Sequence, residues 1–82
     1  MKFKATIENL EIRGKEIKEG KTGNYAIVKF DDEAGERLEF IDRNEERFDY
    51  YKRGLICNVV LQVNNTPKYT NFTIVDMKQI DD

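Results

Sequence analysis

The chain has no histidine and no tryptophan, and only one cysteine and one proline, in 82 residues. Without histidine neither a His-centred zinc site nor a Ser-His triad can be built, and a single cysteine closes no internal disulfide. That cysteine, Cys57, lies in LICNVVLQV and alternates with Leu55, Val59, Leu61 and Val63, which is the pattern of a small buried hydrophobe rather than a nucleophile. Long apolar runs are also missing. No segment approaches the roughly 20 apolar residues of a spanning helix, and the opening MKFKATIENLE has no signal-peptide core, so the expectation is a cytoplasmic protein with no membrane partner. Neither sign of charge dominates: 14 basic against 16 acidic residues leave a net charge of -2. The whole molecule therefore exerts no general attraction for nucleic acid, and any such binding must depend on a local patch.

Charged residues make up 37% of the chain and hydrophobic ones 39%, yet the apolar positions fall into periodic clusters separated by polar turns, which is the mark of a folded domain. The length suits one domain over residues 1–82, burying about 60 to 65% of its unfolded surface. Residues 3–12 carry Phe3, Ala5 and Ile7 on one parity and Leu10 and Ile12 on the other, with Glu8-Asn9 at the slip, so a long strand bent by a bulge is expected. Gly14 ends its clean portion, and KEIKEGKTGN reads as a polar loop or loose hairpin. Tyr25–Phe30 resumes the period of two, with Ala26, Val28 and Phe30 on one side. The DDEAG turn leads to a third strand, RLEFI, with Leu38 and Phe40 inward.

Asn44 is a suitable N-cap for a short helix over residues 45–52. Glu45 and Glu46 fall in its first turn, Lys52 and Arg53 in its last, and Gly54 stops it. Phe48 and Tyr51, three apart, form the expected buried face, which Tyr50 could share. Leu55–Val63 is a strong fourth strand. Tyr69–Ile80 is a less regular fifth, with Phe72 and Ile74 on one parity and Val75 and Met77 on the other, so a second bulge or burial on both sides is expected.

Five strands with a helix between the third and fourth resemble the OB-fold, a small, mainly β Greek-key barrel. The resemblance runs through KFKATIENLEIRG, NYAIVKFDDEAGERLEFI, NEERFDYYKRG, LICNVVLQV and KYTNFTIVDM. An SH3-like barrel is the structural rival, and the position of the helix favours the OB-fold. In particular, GNYAIVKFDDEAGERLEF looks like the second and third strands of single-stranded DNA-binding proteins, of the kind found as accessory replication or recombination proteins on phages and mobile elements.

That resemblance implies a binding surface on strands two and three and on the loops joining strands one to two and four to five. Carried onto this chain, it nominates Tyr25, Lys29 and Arg37 on the strands, Lys18 and Lys21 in the first loop beside Lys15, and Lys68, Tyr69 and Asn71 around NNTPKYTNF. Rings would stack bases while cations pair with phosphates. The outward Ile27 and Ile41 imply a contact surface of some kind. Glu16, Glu19, Glu39 and the Asp31-Asp32 pair oppose a strong phosphate track.

The expected partner is single-stranded nucleic acid, DNA ahead of RNA, with replication or recombination proteins as further partners. Pairing of copies through the fourth or fifth strand is left open. A protein-interaction module using Tyr25, Ile27 and Ile41 is the alternative. No cofactor, metal or catalysis is expected, because Asp31, Asp32, Glu33 and Glu36 lie in and beside a hairpin turn with no general base in view. The closing QIDD is similar only in its two acids to the partner-recruiting ends of single-stranded DNA-binding proteins, and reads as the frayed end of the last strand.

Overall fold

The structure is a computed structural model that describes residues 1–80; the terminal acids of QIDD, Asp81 and Asp82, lie outside the described residues. Its strands are β1 (Lys2–Gly20), β2 (Gly23–Asp31), β3 (Arg37–Asp42), β4 (Ile56–Asn65) and β5 (Thr70–Gln79), with one short 3-10 helix, Glu45–Tyr50, between β3 and β4. The strands form one sheet in the order β1-β2-β3-β5-β4, and a ring of hydrogen bonds closes it where β4 returns to β1. Among the described residues no helix is long and apolar enough to cross a membrane.

β1 serves two neighbours because it is bent twice. Its register against β4 shifts between Ile7 and Leu10, and its register against β2 shifts between Ile12 and Gly14. At the first shift Asn9 takes a positive φ of 58°, a left-handed conformation that asparagine tolerates better than most residues. The slip changes the inward parity, so that Leu10 and Ile12 enter the core after Ala5 and Ile7 have packed at its edge. The expected bulge at Glu8-Asn9 is therefore present, and Asn58 supports it by accepting from the Asn9 N–H at 3.0 Å.

Of the two readings of residues 15–24, the hairpin is present and the polar loop is not. β1 continues to Gly20 in register with β2, and only Lys21 and Thr22 separate Gly20 from its partner Gly23. The polar composition of KEIKEG hid a strand whose pairing is supplied by β2, with Ile17 opposite Ala26 and Glu16 opposite Ile27. Propensity gave way here to tertiary pairing.

The helix between β3 and β4 is shorter and tighter than expected. It is a 3-10 segment of six residues whose N-cap Asn44 accepts from the Glu46 N–H at 3.0 Å. In a 3-10 helix positions three apart eclipse, so Phe48 and Tyr51 both reach the core while Tyr50 stays 65% exposed.

β4 alternates strictly, burying Cys57, Val59, Leu61 and Val63. Each fully buried side chain of this size contributes about 1.5 to 3 kcal/mol. β4 is hydrogen-bonded along both edges, to β1 and to β5. β5 carries the second expected bulge: Val60 faces Asp76 and Leu61 faces Ile74, leaving Val75 unpaired. The narrowest seam of the ring is β3 with β5, a parallel contact of two residue pairs, Ile41 with Thr73 and Asp42 with Ile74.

Candidate nucleic-acid interface

Alternation along β2 and β3 decides which side chains face outward. Ala26, Val28, Phe30 and Phe40 are buried, so Tyr25, Ile27 and Lys29 of β2 and Arg37, Glu39 and Ile41 of β3 stand on the outer surface. Register places Ile27 directly opposite Ile41, Lys29 opposite Glu39, and Arg37 opposite Asp31. β1 extends this face with Lys18 opposite Tyr25 and Glu16 opposite Ile27. The result is an apolar pair at the centre with aromatic and charged groups around it.

Tyr25 lies in a fixed setting. A Cβ added at Gly20 would stand 2.9 Å from the Gly23 carbonyl oxygen and 3.3 Å from the Tyr25 ring, so the ring rests against a position that must stay bare. The guanidinium of Arg43 lies 5.6 Å from the ring centroid, within the range of a cation–π contact. Arg43 was not among the expected site residues. Its signal was available, since it continues the outward series Glu39, Ile41, Arg43 beyond the expected end of the strand.

The basic residues divide into those that are held and those that are not. Lys29 donates to Glu16 at 3.1 Å, and Lys18 stands 3.8 Å from the same carboxylate. The Glu16 carboxyl is held below its ordinary range, first by the Lys29 hydrogen bond and then by the charges of Lys29 and Lys18. Lys15, expected in an open loop, instead donates to the carbonyl of Phe48 and ties the hairpin to the 3-10 helix. Lys21 sits in the exposed turn between β1 and β2. Among the described residues, Arg37 and Arg43 have no carboxylate within 4 Å.

The connection between β4 and β5 is only Thr66–Tyr69, shorter than the stretch NNTPKYTNF suggests. Asn64 and Asn65 belong to β4, while Asn71 and Phe72 belong to β5. Thr66 and Tyr69 close the turn: the Thr66 N–H donates to the Tyr69 carbonyl at 2.9 Å, and the Tyr69 N–H donates to the Thr66 hydroxyl at 3.2 Å. Lys68 and Tyr69 are exposed at its tip. Asn65 is committed to structure, since its side-chain oxygen accepts from Thr70 at 2.9 Å and its carbonyl from the N-terminal amine at 2.7 Å.

Between β3 and β5 a cleft opens, lined by Glu39, Ile41, Arg43, Asn71, Phe72 and Thr73. It brings Asn71 beside the β2-β3 face and joins that face, through Thr70, to Tyr69. Phe72 is 44% exposed and leans on Phe40 at a centroid distance of 6.0 Å. Sequence reasoning left the parity of this strand open, with Phe72 and Ile74 on one side and Val75 and Met77 on the other; the structure puts Phe72 on the parity of the buried Ile74. At the open end of the sheet, parity points inward without providing cover, which leaves its ring partly free.

Behind the face a buried charge anchors the geometry. Asp42 is 0% exposed and accepts from Arg47, from the Asn44 N–H at 2.9 Å and from the Tyr51 hydroxyl. Burial, and then the bond to Asp42, push the Tyr51 phenol well above its ordinary range. Arg47 also donates to the carbonyls of Ile74 and Val75 at 3.2 and 3.1 Å. One cluster thus ties the end of β3, the 3-10 helix and the β5 bulge together, which fixes the two-pair seam and the start of Arg43.

Comparison with protein-family models and with curated proteins found no match.

Proposed function

We propose that the protein is an OB-fold barrel that binds single-stranded nucleic acid, DNA ahead of RNA, without catalysis. The observation that carries this reading is the outer face of β2 and β3. There the Ile27–Ile41 pair lies between Tyr25 with Arg43 at one end and Lys29 with Arg37 at the other, and the face opens sideways into the Asn71–Phe72 cleft. Planar groups there offer stacking surfaces worth about 1 to 3 kcal/mol per base, and the guanidinium groups of Arg37 and Arg43 suit phosphates. Glu16 and Glu39 limit the positive potential, so binding is modest and salt-sensitive. The setting that fits such a protein is cytoplasmic replication or recombination on a phage or mobile element, with a second copy or a replication protein as partner.

A second reading is favoured by the same apolar pair: a protein-interaction module that docks a partner on Ile27 and Ile41. Salt separates the two. Fluorescence anisotropy of labelled oligo-dT at low and moderate salt, with the Tyr25→Ala/Tyr69→Ala protein alongside, is the test. Salt-sensitive binding that the folded double variant loses supports the nucleic-acid reading. Absence of binding at high micromolar protein in low salt would turn the assignment to the protein module.

A further inference from the structure

Beyond Lys29 the face runs into a second cleft that the sequence did not reveal. Arg13, Lys29, Arg37 and Arg53 surround it, Phe30 and Leu38 contribute apolar wall, and Glu39 is the one carboxylate in its lining. These cations come from three distant parts of the chain, and the fold has specific means of assembling them. Arg13 is the extra residue of the bulge between Ile12 and Gly14. Arg53 is carried in by the segment after the 3-10 helix, whose next residue, Gly54, adopts a φ of 91° and donates its N–H to the Ile12 carbonyl at 2.8 Å. A side chain at that glycine would be strained, so the backbone beside Arg53 is held in a conformation that suits the approach.

Clustering four cations in a small domain is unfavourable unless anions answer them. Arg13 is answered by Asp31 at 3.4 Å and Lys29 by Glu16 at 3.1 Å. Among the described residues, Arg37 and Arg53 have no carboxylate within 4 Å. Asp31, Glu16 and Glu39 set against the four cations, with Lys18 sharing Glu16 at 3.8 Å, leave an excess of positive charge that suits a phosphate group. Lys29 belongs to both the face and the cleft, about 13 Å along β2 from Tyr25 at the usual rise per residue.

We propose that this cleft holds one phosphate group of the strand that crosses the β2-β3 face, gripped by Arg37 and Arg53. The proposal rests on the nucleic-acid reading and adds to it a fixed end for the bound strand. Guanidinium groups suit this role because their forked donors match phosphate oxygens two at a time.

The test is an anisotropy titration of oligo-dT, bearing either a 5′-phosphate or a 5′-hydroxyl, over a series of salt concentrations. The proteins compared are the natural chain, Arg37→Ala/Arg53→Ala and Tyr25→Ala. Both arginines are exposed, and an unchanged melting temperature verifies that the double variant folds. The expected result is about tenfold weaker binding by the arginine variant, with the salt slope reduced by about 0.7 because one phosphate is no longer neutralised. Tyr25→Ala should weaken binding without altering that slope. Equal loss for both ends identifies an internal phosphodiester, and a loss confined to the 5′-phosphorylated strand assigns the cleft to a terminal phosphate. Full affinity and slope in the arginine variant would overturn the cleft and leave the face standing. Failure of the natural protein to bind either strand in low salt would overturn the face and the cleft together.

Discussion

Arg47 holds both oxygens of Asp42, its Nε 2.7 Å from Oδ2 and its Nη2 2.9 Å from Oδ1. The carboxylate it holds is wholly buried, and the Asp42 bond raises the affinity of the guanidinium for its proton. A buried carboxylate left without its partner carries the full cost of desolvation. Arg47→Met should therefore lower unfolding free energy by about 3 to 5 kcal/mol, as read by urea denaturation. Tyr51→Phe removes one hydrogen bond to the same charge and should cost less, about 1.5 to 3 kcal/mol. If Arg47→Met proved as stable as the natural chain, the cluster would not be what secures the β3-β5 seam.

Most of the strand content was legible because it rests on parity. Ala26, Val28 and Phe30 of β2 and the four inward residues of β4 alternate without interruption, and each of the two expected bulges declared itself as a change of parity. What was hidden depended on partners. KEIKEG looks like a loop until β2 pairs with it, and Asp42 looks like the polar end of a strand until Arg47 and Tyr51 are folded over it. The same holds for the site. The outward placement of Tyr25, Lys29 and Arg37 followed from alternation, whereas Arg43 over Tyr25, and Arg13 beside Arg53, join segments that no local pattern brings together.

Asn9 offers a test of the first bulge. Its φ of 58° costs most residues about 1 to 2 kcal/mol, and its amide donates to Glu33 at 2.6 Å across an exposed surface. Asn9→Gly keeps the backbone accessible and should change stability by less than about 1 kcal/mol. Asn9→Ala meets the left-handed strain and forgoes the amide, and should cost about 1 to 2 kcal/mol more than the glycine variant in thermal or urea unfolding. Equal stability of the two would mean that the bulge relaxes to another conformation.

Phe72 separates stacking from simple apolar cover. Its ring is partly exposed and packs on Phe40, so Phe72→Leu keeps much of the cover and removes the π face. If the β3-β5 cleft takes a base, this change should weaken oligo-dT binding by about 1 to 3 kcal/mol, while the melting temperature moves little. Unchanged affinity in the folded variant would show that no base stacks on this ring.

Alkaline pH should expose the buried thiol. Burial raises the pKa of Cys57 from an ordinary 9.0 to about 11, so the unfolded chain releases this proton before the folded one does. The stabilisation is complete below pH 9 and is lost as pH rises through 11, amounting to about 1 kcal/mol by pH 10 and about 2 to 3 kcal/mol at the limit. Tyr51, whose phenol is also raised, adds a loss of the same sign that begins near its ordinary value of 10.0. Cys57→Ala removes the first contribution and keeps the second. Urea unfolding between pH 8 and pH 11 should show the natural protein weakening from about pH 9 and the variant only from about pH 10. Parallel decline of the two from pH 9 would show that the Cys57 thiol ionises as readily in the folded protein as in the unfolded chain.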